Sequence, residues 1–110
     1  MAHRTPRIQH TQLFLPQQAS PHCLVGSPAW FTWLQTATAF RFFSTQRRII
    51  IRGNGPLLAP ISLRKEQRRQ ASFWYAYRRS SGILLKRYAG RSHDLTLDHL
   101  NALADQLHDY

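Results

Sequence analysis

Apolar side chains recur at helical spacing in two separate segments of this chain, and each segment predicts a helix. Residues 27–37 place aromatic and aliphatic side chains at helical spacing behind Ser27 and Pro28, residue types preferred at an N-cap and a first helical position. Residues 97–108 carry a stripe of leucines and alanine behind a second suitable N-cap, Thr96. The pattern therefore predicts a short helix early in the sequence and a longer helix late in it.

The segment between these two helices has the branched and aromatic composition of β-strands. Strands are predicted at residues 40–43, 48–52, 61–65, 73–79 and 83–88. Because Ser80, Ser81 and Gly82 form a short turn signal, the last two strands are expected to pair as a hairpin. Residues 67–72 are polar and basic, and they are expected to form an exposed connection.

Together these elements predict an α+β fold with a three- to four-stranded antiparallel sheet. A short N-terminal helix would precede the sheet, and the C-terminal helix would pack on one of its faces. Residues 1–26 contain three prolines and no clean amphipathic period, so they are expected to be a disordered leader. The prediction is therefore a single small α+β domain over residues 27–110.

Charge narrows the range of functions. The 110 residues include 15 Lys and Arg against five acids, and between positions 41 and 91 thirteen basic residues face one acid, Glu66. A field of one sign attracts polyanions, because a basic protein that neutralises phosphates releases their condensed counterions. The alternative is a basic face that is merely solvated.

Other classes of function find little support in the residues. No paired carboxylates precede the last helix and no phosphate-cradling glycine loop is present, so neither an enzyme nor a cofactor is predicted. The nearest approach to a metal site is His93, Asp94 and His99, which we interpret as polar residues at a helix start. The single cysteine, Cys23, cannot form an internal disulfide, and no apolar run has the length of a membrane helix. A cytoplasmic protein without a membrane partner is therefore expected.

The predicted hairpin is the strongest candidate for a binding surface. Side chains alternate between the two faces of a strand, so Tyr75 and Tyr77 share one face and Trp74 and Arg78 share the other. Arginine reaches phosphates and guanine edges, and flat rings stack on unpaired bases. The alternative for each ring is a place in the core, where aromatic side chains are common. The candidate nucleic-acid-binding residues are Arg64, Lys65, Arg68, Arg69, Tyr75, Tyr77, Arg78, Arg79, Lys86, Arg87 and Arg91.

Most of the chain also resembles a module of a known protein family. Six blocks match in order and spacing, at positions 29–34 (AWFTWL), 39–42 (AFRF), 62–66 (SLRKE), 73–79 (FWYAYRR), 86–91 (KRYAGR) and 95–100 (LTLDHL). The module resembled is the N-terminal one of large bacterial LuxR-type (maltose-regulator-like) transcriptional regulators, where it precedes a nucleotide-binding domain. The resemblance implies a regulatory context, although these 110 residues contain no counterpart of the nucleotide-binding or helix-turn-helix domains.

Charge, rings and resemblance together predict a basic module that binds nucleic acid, with DNA favoured, or that takes part in transcription regulation. The arginines of the hairpin carry this prediction, because almost no acids exist to pair with them. The alternative is a protein-interaction module that docks on other domains or subunits of a regulator, or a fragment of a regulator with no independent activity.

Overall fold

The computed structural model describes residues 5–44, 60–80 and 82–108, and within them the chain forms one seven-stranded sheet and two α-helices. The strands are β1 (Arg7–Gln9), β2 (Gln12–Phe14), β3 (Cys23–Leu24), β4 (Ala39–Phe42), β5 (Ile61–Arg68), β6 (Ala71–Ser80) and β7 (Ile83–Gly90). The helices are α1 (Pro28–Thr36) and α2 (Leu97–His108), and a short 3₁₀ helix, Ser92–Asp94, precedes α2.

The strands lie in the order β3-β2-β1-β4-β5-β6-β7. β1 and β4 are parallel, and every other pair of neighbours is antiparallel. The α+β class predicted from the sequence is confirmed, but the predicted antiparallel sheet of three or four strands is wrong. It is wrong because the segment before α1 adds three strands, and the first of them joins β4 in parallel.

Residues 1–26 were expected to be a disordered leader, and the structure places β1, β2 and β3 there. A two-residue turn joins β1 to β2, with His10 at φ 53° and Thr11 at φ 67°. Two positive φ values in succession are typical of a type I′ hairpin turn, which usually contains asparagine or glycine. Neither residue type is present in this turn, so the sequence gives no hairpin signal. Ile8 and Leu13 nevertheless bury their side chains completely.

Both predicted helices are confirmed, together with their caps. The Ser27 hydroxyl accepts a hydrogen bond from the Trp30 amide at 3.3 Å, and Pro28 opens α1. The Thr96 hydroxyl accepts one from the His99 amide at 3.2 Å at the start of α2. The stripe of α2 is buried as its period predicts, through Leu100, Leu103, Ala104 and Leu107.

The central strands are longer than the sequence suggested. Residues 67–72 were expected to be an exposed connection, but β5 and β6 continue through them until Arg68 pairs with Ala71. Only Arg69 and Gln70 are left as the turn, with Arg69 at φ 55°. The predicted hairpin of β6 and β7 is confirmed. The strand predicted at residues 48–52 lies outside the described part of the chain.

The core lies between the two helices and one face of the sheet. Trp30 of α1 meets the Phe40 ring edge-on at a centroid distance of 5.3 Å, and Phe40 in turn lies 5.3 Å from Trp74 of β6. The Trp30 indole nitrogen donates a hydrogen bond of 2.8 Å to the carbonyl of Leu95, just before α2. The described helices therefore cover the same face of the sheet and leave the opposite face without a helix.

Candidate functional site

The face of the sheet opposite the helices, called the open face below, collects basic and aromatic side chains. Directly paired residues on neighbouring strands share a face, so the strand registers define its members. Phe14 of β2 shares this face through its pairing with Arg7, and the main members on β1 and on β4 to β7 are Arg7, Arg41, Ser62, Arg64, Glu66, Arg68, Phe73, Tyr75, Tyr77, Arg79, Leu84, Lys86 and Tyr88. Each of these side chains is exposed or half-buried. Of these main members six are basic, four are aromatic and one is acidic, so the described open face is strongly positive.

Three strands each contribute an arginine to one groove on this face. The arginine groove has a volume of about 500 Å³, and Arg41 of β4, Arg64 of β5 and Arg79 of β6 line it from the open face together with Tyr77. Arg78 of β6 lines it as well, although its Nη1 donates a hydrogen bond to the carbonyl of Leu107. Within the described residues no salt bridge joins any of the three arginines to a carboxylate. Guanidinium groups that lack carboxylate partners are available to an external anion, and their planar donors fit phosphate oxygens.

A second depression, the aromatic pocket, lies further along the same face. It has a volume of about 610 Å³ and is lined by Gln67, Arg68, Arg69, Phe73, Tyr75 and Tyr88. Tyr75 and Tyr88 are direct cross-strand partners whose rings meet edge-on at 5.6 Å, and Phe73 lies 6.1 Å from Tyr88. The Arg68 guanidinium lies 5.6 Å from the Tyr75 ring, within cation–π range. The pocket thus combines ring surfaces with positive charge.

Glu66 occupies the open face beside both depressions and is the one acid in the strands described. Its carboxylate accepts hydrogen bonds from the Tyr77 hydroxyl and from Arg68 at 2.9 Å, and it pairs with Lys86 at 3.3 Å. The Tyr77 hydroxyl, then Arg68 and Lys86, lower the pKa of Glu66 to about 2.

Because the pKa of Glu66 is lowered, its carboxylate stays negatively charged beside Arg68 and Lys86 at neutral pH. A carboxylate with a depressed pKa stabilises the fold above its ordinary pKa, and that stability is lost only as the pH falls towards 2. Burial, and then the hydrogen bond to Glu66, raise the pKa of Tyr77, so its phenol keeps its proton at neutral pH. The one acid of the described open face is therefore held by Arg68 and Lys86 under ordinary conditions, and the remaining arginines stay uncompensated.

The structure divides the candidate residues predicted from the sequence. Those it brings together on the open face are Arg64, Arg68, Tyr75, Tyr77, Arg79 and Lys86. Arg69 lies in the turn at the rim of the aromatic pocket, and the Arg91 guanidinium lies 5.2 Å from the Phe73 ring. Lys65, Arg78 and Arg87 are on the helix side of the sheet by register, and of these three Arg78 also lines the arginine groove.

Lys65 closes the end of α1. Its ammonium group donates hydrogen bonds to the carbonyls of Leu34 at 2.7 Å and Gln35 at 3.2 Å, in the last turn of the helix. It also lies 5.3 Å from the ring of Trp74, and burial lowers its pKa. A cation at this end complements the helix dipole and satisfies carbonyls that the helix leaves without partners.

Arg78 has a similar relation to α2. It shares a face with Trp74 and Ala76, both fully buried, and its Nη1 donates a bond of 3.3 Å to the carbonyl of Leu107 near the end of that helix. Arg87 pairs with Ala76 across the strands and is exposed on the same side. Arg78 and Arg87 therefore do not share a face with Tyr75 and Tyr77.

Several residues of the open face were not among the predicted candidates: Arg7, Arg41, Phe73 and Tyr88. The alternation of the hairpin already placed Phe73 beside Tyr75, so a signal for it existed. Arg7 and Arg41 come together through the parallel pairing of β1 with β4, which no local pattern predicts.

The polar residues before α2 are arranged around the helix start. His93 Nε2 lies 3.4 Å from Asp94 Oδ1, and Asp94 accepts a hydrogen bond from the Arg91 amide at 3.0 Å. The His99 ring instead contacts the carbonyl of Ala89 at 2.7 Å. In the part of the chain that the structure describes, no three His, Cys, Asp or Glu side chains form a group suited to a metal ion.

We expect Lys65→Met to lower the free energy of unfolding by about 1 kcal/mol, because the end of α1 loses its charged hydrogen-bond donor. Arg64→Met is the matched control, since Arg64 is the neighbouring residue and faces the open side. Exposed surface substitutions usually change stability by less than about 0.5 kcal/mol. Urea unfolding of both variants measures the difference, and equal losses would show that Lys65 has no capping role.

Comparison with known proteins identifies no relative of this chain. No protein-family model, no curated protein and no solved structure matches the chain. Among the described residues, no helix has both the length and the apolar character needed to cross a membrane. The function must therefore be inferred from the chain's own residues.

Proposed function

We propose that this chain binds nucleic acid through the open face of its sheet. One observation carries the proposal: the arginine groove, which three open-face arginines without carboxylate partners in the described structure line, lies on the same uncovered face as a pocket of aromatic rings. The paired N–H donors of an arginine guanidinium match the oxygens of a phosphate, and nucleic-acid bases are flat groups that stack on aromatic rings. Nucleic acid presents both groups side by side along one strand.

The distribution of the acids supports the same proposal. Apart from Glu66, every acid of the chain lies at position 94 or later, and those the structure describes, Asp94, Asp98 and Asp105, lie in the 3₁₀ helix and in α2. Negative charge is thus kept away from the strands, while six basic side chains lie on the open face. A surface of this kind gains affinity for phosphates by releasing condensed counterions.

The resemblance to LuxR-type regulators gives this proposal a biological setting. It favours DNA over RNA and a role in bacterial transcription regulation, in the cytoplasm. In such a setting the open face would contact nucleic acid while the helix side remained with the rest of the regulator. This assignment rests on the six matching blocks of sequence.

A salt series tests the proposal. The affinity for fluorescein-labelled DNA should fall linearly on a log–log plot against salt, with a slope of roughly −0.9 for each phosphate contacted on a duplex and about −0.7 on a single strand. Contacts from the three groove arginines would give a slope of roughly −2 to −3. Fluorescence anisotropy provides the measurement, and absence of binding to DNA and to RNA at low salt would refute the proposal.

A protein partner is the second candidate function, because β7 presents apolar side chains to solvent. Ile83 is 64% exposed and Leu84 is 52% exposed on this outermost strand of the described sheet. Outer strands with exposed apolar residues are sites where another chain can add to a sheet. This candidate becomes the leading one if the salt series detects no binding to nucleic acid.

A further inference from the structure

We infer that the open face binds a single strand of nucleic acid in preference to a duplex. The strand would place phosphates in the arginine groove and a base against Tyr88 in the aromatic pocket. This inference rests on the proposed function and specifies the substrate class of the same site.

The first argument is the width of the face. Basic and aromatic residues of the open face lie on five adjacent strands, β1, β4, β5, β6 and β7. Neighbouring strands are about 4.8 Å apart, so these five strands span roughly 19 Å. The major groove of B-form DNA is about 12 Å wide and admits one helix or a two-stranded ribbon. The described sheet is too broad to enter that groove face-on, and its two helices lie on the other side.

The second argument is the exposure of the rings. Tyr88 is 57% exposed and is the most accessible of the four rings that β6 and β7 place on the open face. In a duplex the flat surfaces of the bases are stacked on each other, so a surface ring cannot reach them unless the helix is opened. Unpaired bases offer these surfaces directly, and stacking on rings is how proteins bind single strands without regard to sequence.

The third argument is the spacing of the two depressions. Arg64 lines the arginine groove and Arg68 lines the aromatic pocket, four residues apart on β5. At about 3.3 Å per residue this separation is roughly 13 Å. A stacked strand rises about 3.4 Å per nucleotide, so roughly four nucleotides span the distance, and fewer do so when the strand is extended. One short single strand therefore reaches both depressions at once.

The experiment compares three labelled probes by fluorescence anisotropy at one fixed salt concentration: oligothymidine DNA, oligouridine RNA of the same length, and a duplex DNA of the same number of base pairs. The wild-type chain should bind at least one single strand more tightly than the duplex. Tyr88→Leu should weaken single-strand binding about tenfold and change duplex binding less than twofold, because it removes a ring and no charge. Ile83→Ala is the control, since it trims an exposed apolar side chain of the same strand on the opposite face.

The outcomes separate this inference from the proposed function. If the duplex binds as tightly as both single strands and Tyr88→Leu changes nothing, the preference for a single strand is wrong, while binding through the basic face stands. If no probe binds, both are wrong. If Ile83→Ala weakens binding as much as Tyr88→Leu, stacking on Tyr88 is not the source of affinity and the inference fails. The two single-stranded probes also show whether the partner is DNA or RNA.

Discussion

Replacing Trp30 by alanine should lower the free energy of unfolding by about 3–5 kcal/mol, the usual cost of removing a large buried ring. The Trp30 side chain is fully buried, it stacks edge-on against Phe40, and it donates a hydrogen bond to the carbonyl of Leu95. It therefore joins α1 to the sheet and to the start of α2 in one residue. Since small domains are stable by only about 5–15 kcal/mol, this loss removes a large share of the stability and should lower the melting temperature markedly.

Trp33 provides the matched control for this prediction. It lies on the same helix, and its ring stacks against Trp30 at 5.6 Å, but it is only partly buried. Trp33→Ala should cost clearly less than Trp30→Ala, because less of its surface leaves water on folding. Urea unfolding followed by circular dichroism gives both values. Equal costs would mean that Trp30 does not hold the three elements together as described.

The triple change Arg41→Ala, Arg64→Ala and Arg79→Ala should weaken nucleic-acid binding roughly 10³-fold or more. A charge-assisted hydrogen bond contributes about 1.5–3 kcal/mol, and a tenfold change corresponds to about 1.4 kcal/mol. The slope of log affinity against log salt should become less negative by about 2 on a single strand, because three phosphate contacts are lost. Thermal unfolding should shift little, because these side chains are exposed or half-buried and the change reduces repulsion between like charges.

A comparison of single variants separates a defined site from diffuse attraction. Arg64 and Arg87 are both exposed and each carries one charge, but they lie on opposite faces of the sheet. Arg64→Ala should cost about tenfold in affinity, and Arg87→Ala should cost less than about threefold. Similar losses from the two variants would show that net charge, and not the arginine groove, provides the affinity.

The elements that could be predicted are those with local signals. Ser27 followed by Pro28 marks the start of α1, and Thr96 marks the start of α2, because capping chemistry acts within one turn of the helix. Alternation along β6 likewise placed Tyr75 and Tyr77 on one face. These features depend on residues close together in sequence, so a single chain without relatives was enough to find them.

Which residues lie on the open face depends instead on pairings between strands that are far apart in the sequence. Alternation could not tell which face of β6 the helices cover, and for this reason the candidate set mixed open-face residues with Lys65, Arg78 and Arg87. Phe40 and Leu63 identify the face that the helices cover, because they pair across β4 and β5 and are both fully buried. That register was invisible in the sequence, as was the hairpin of β1 and β2, whose strands are three residues each and whose turn lacks glycine.

The parallel pairing of β1 with β4 also affects the order in which the chain assembles. The strands β5, β6 and β7 are joined by two tight turns, so their pairing closes short loops at little entropic cost. β1 must wait for a partner more than thirty residues away. A hairpin of two three-residue strands is not stable alone in water. During synthesis, then, β1 leaves the ribosome before β4 and stays without its parallel partner until β4 has been made.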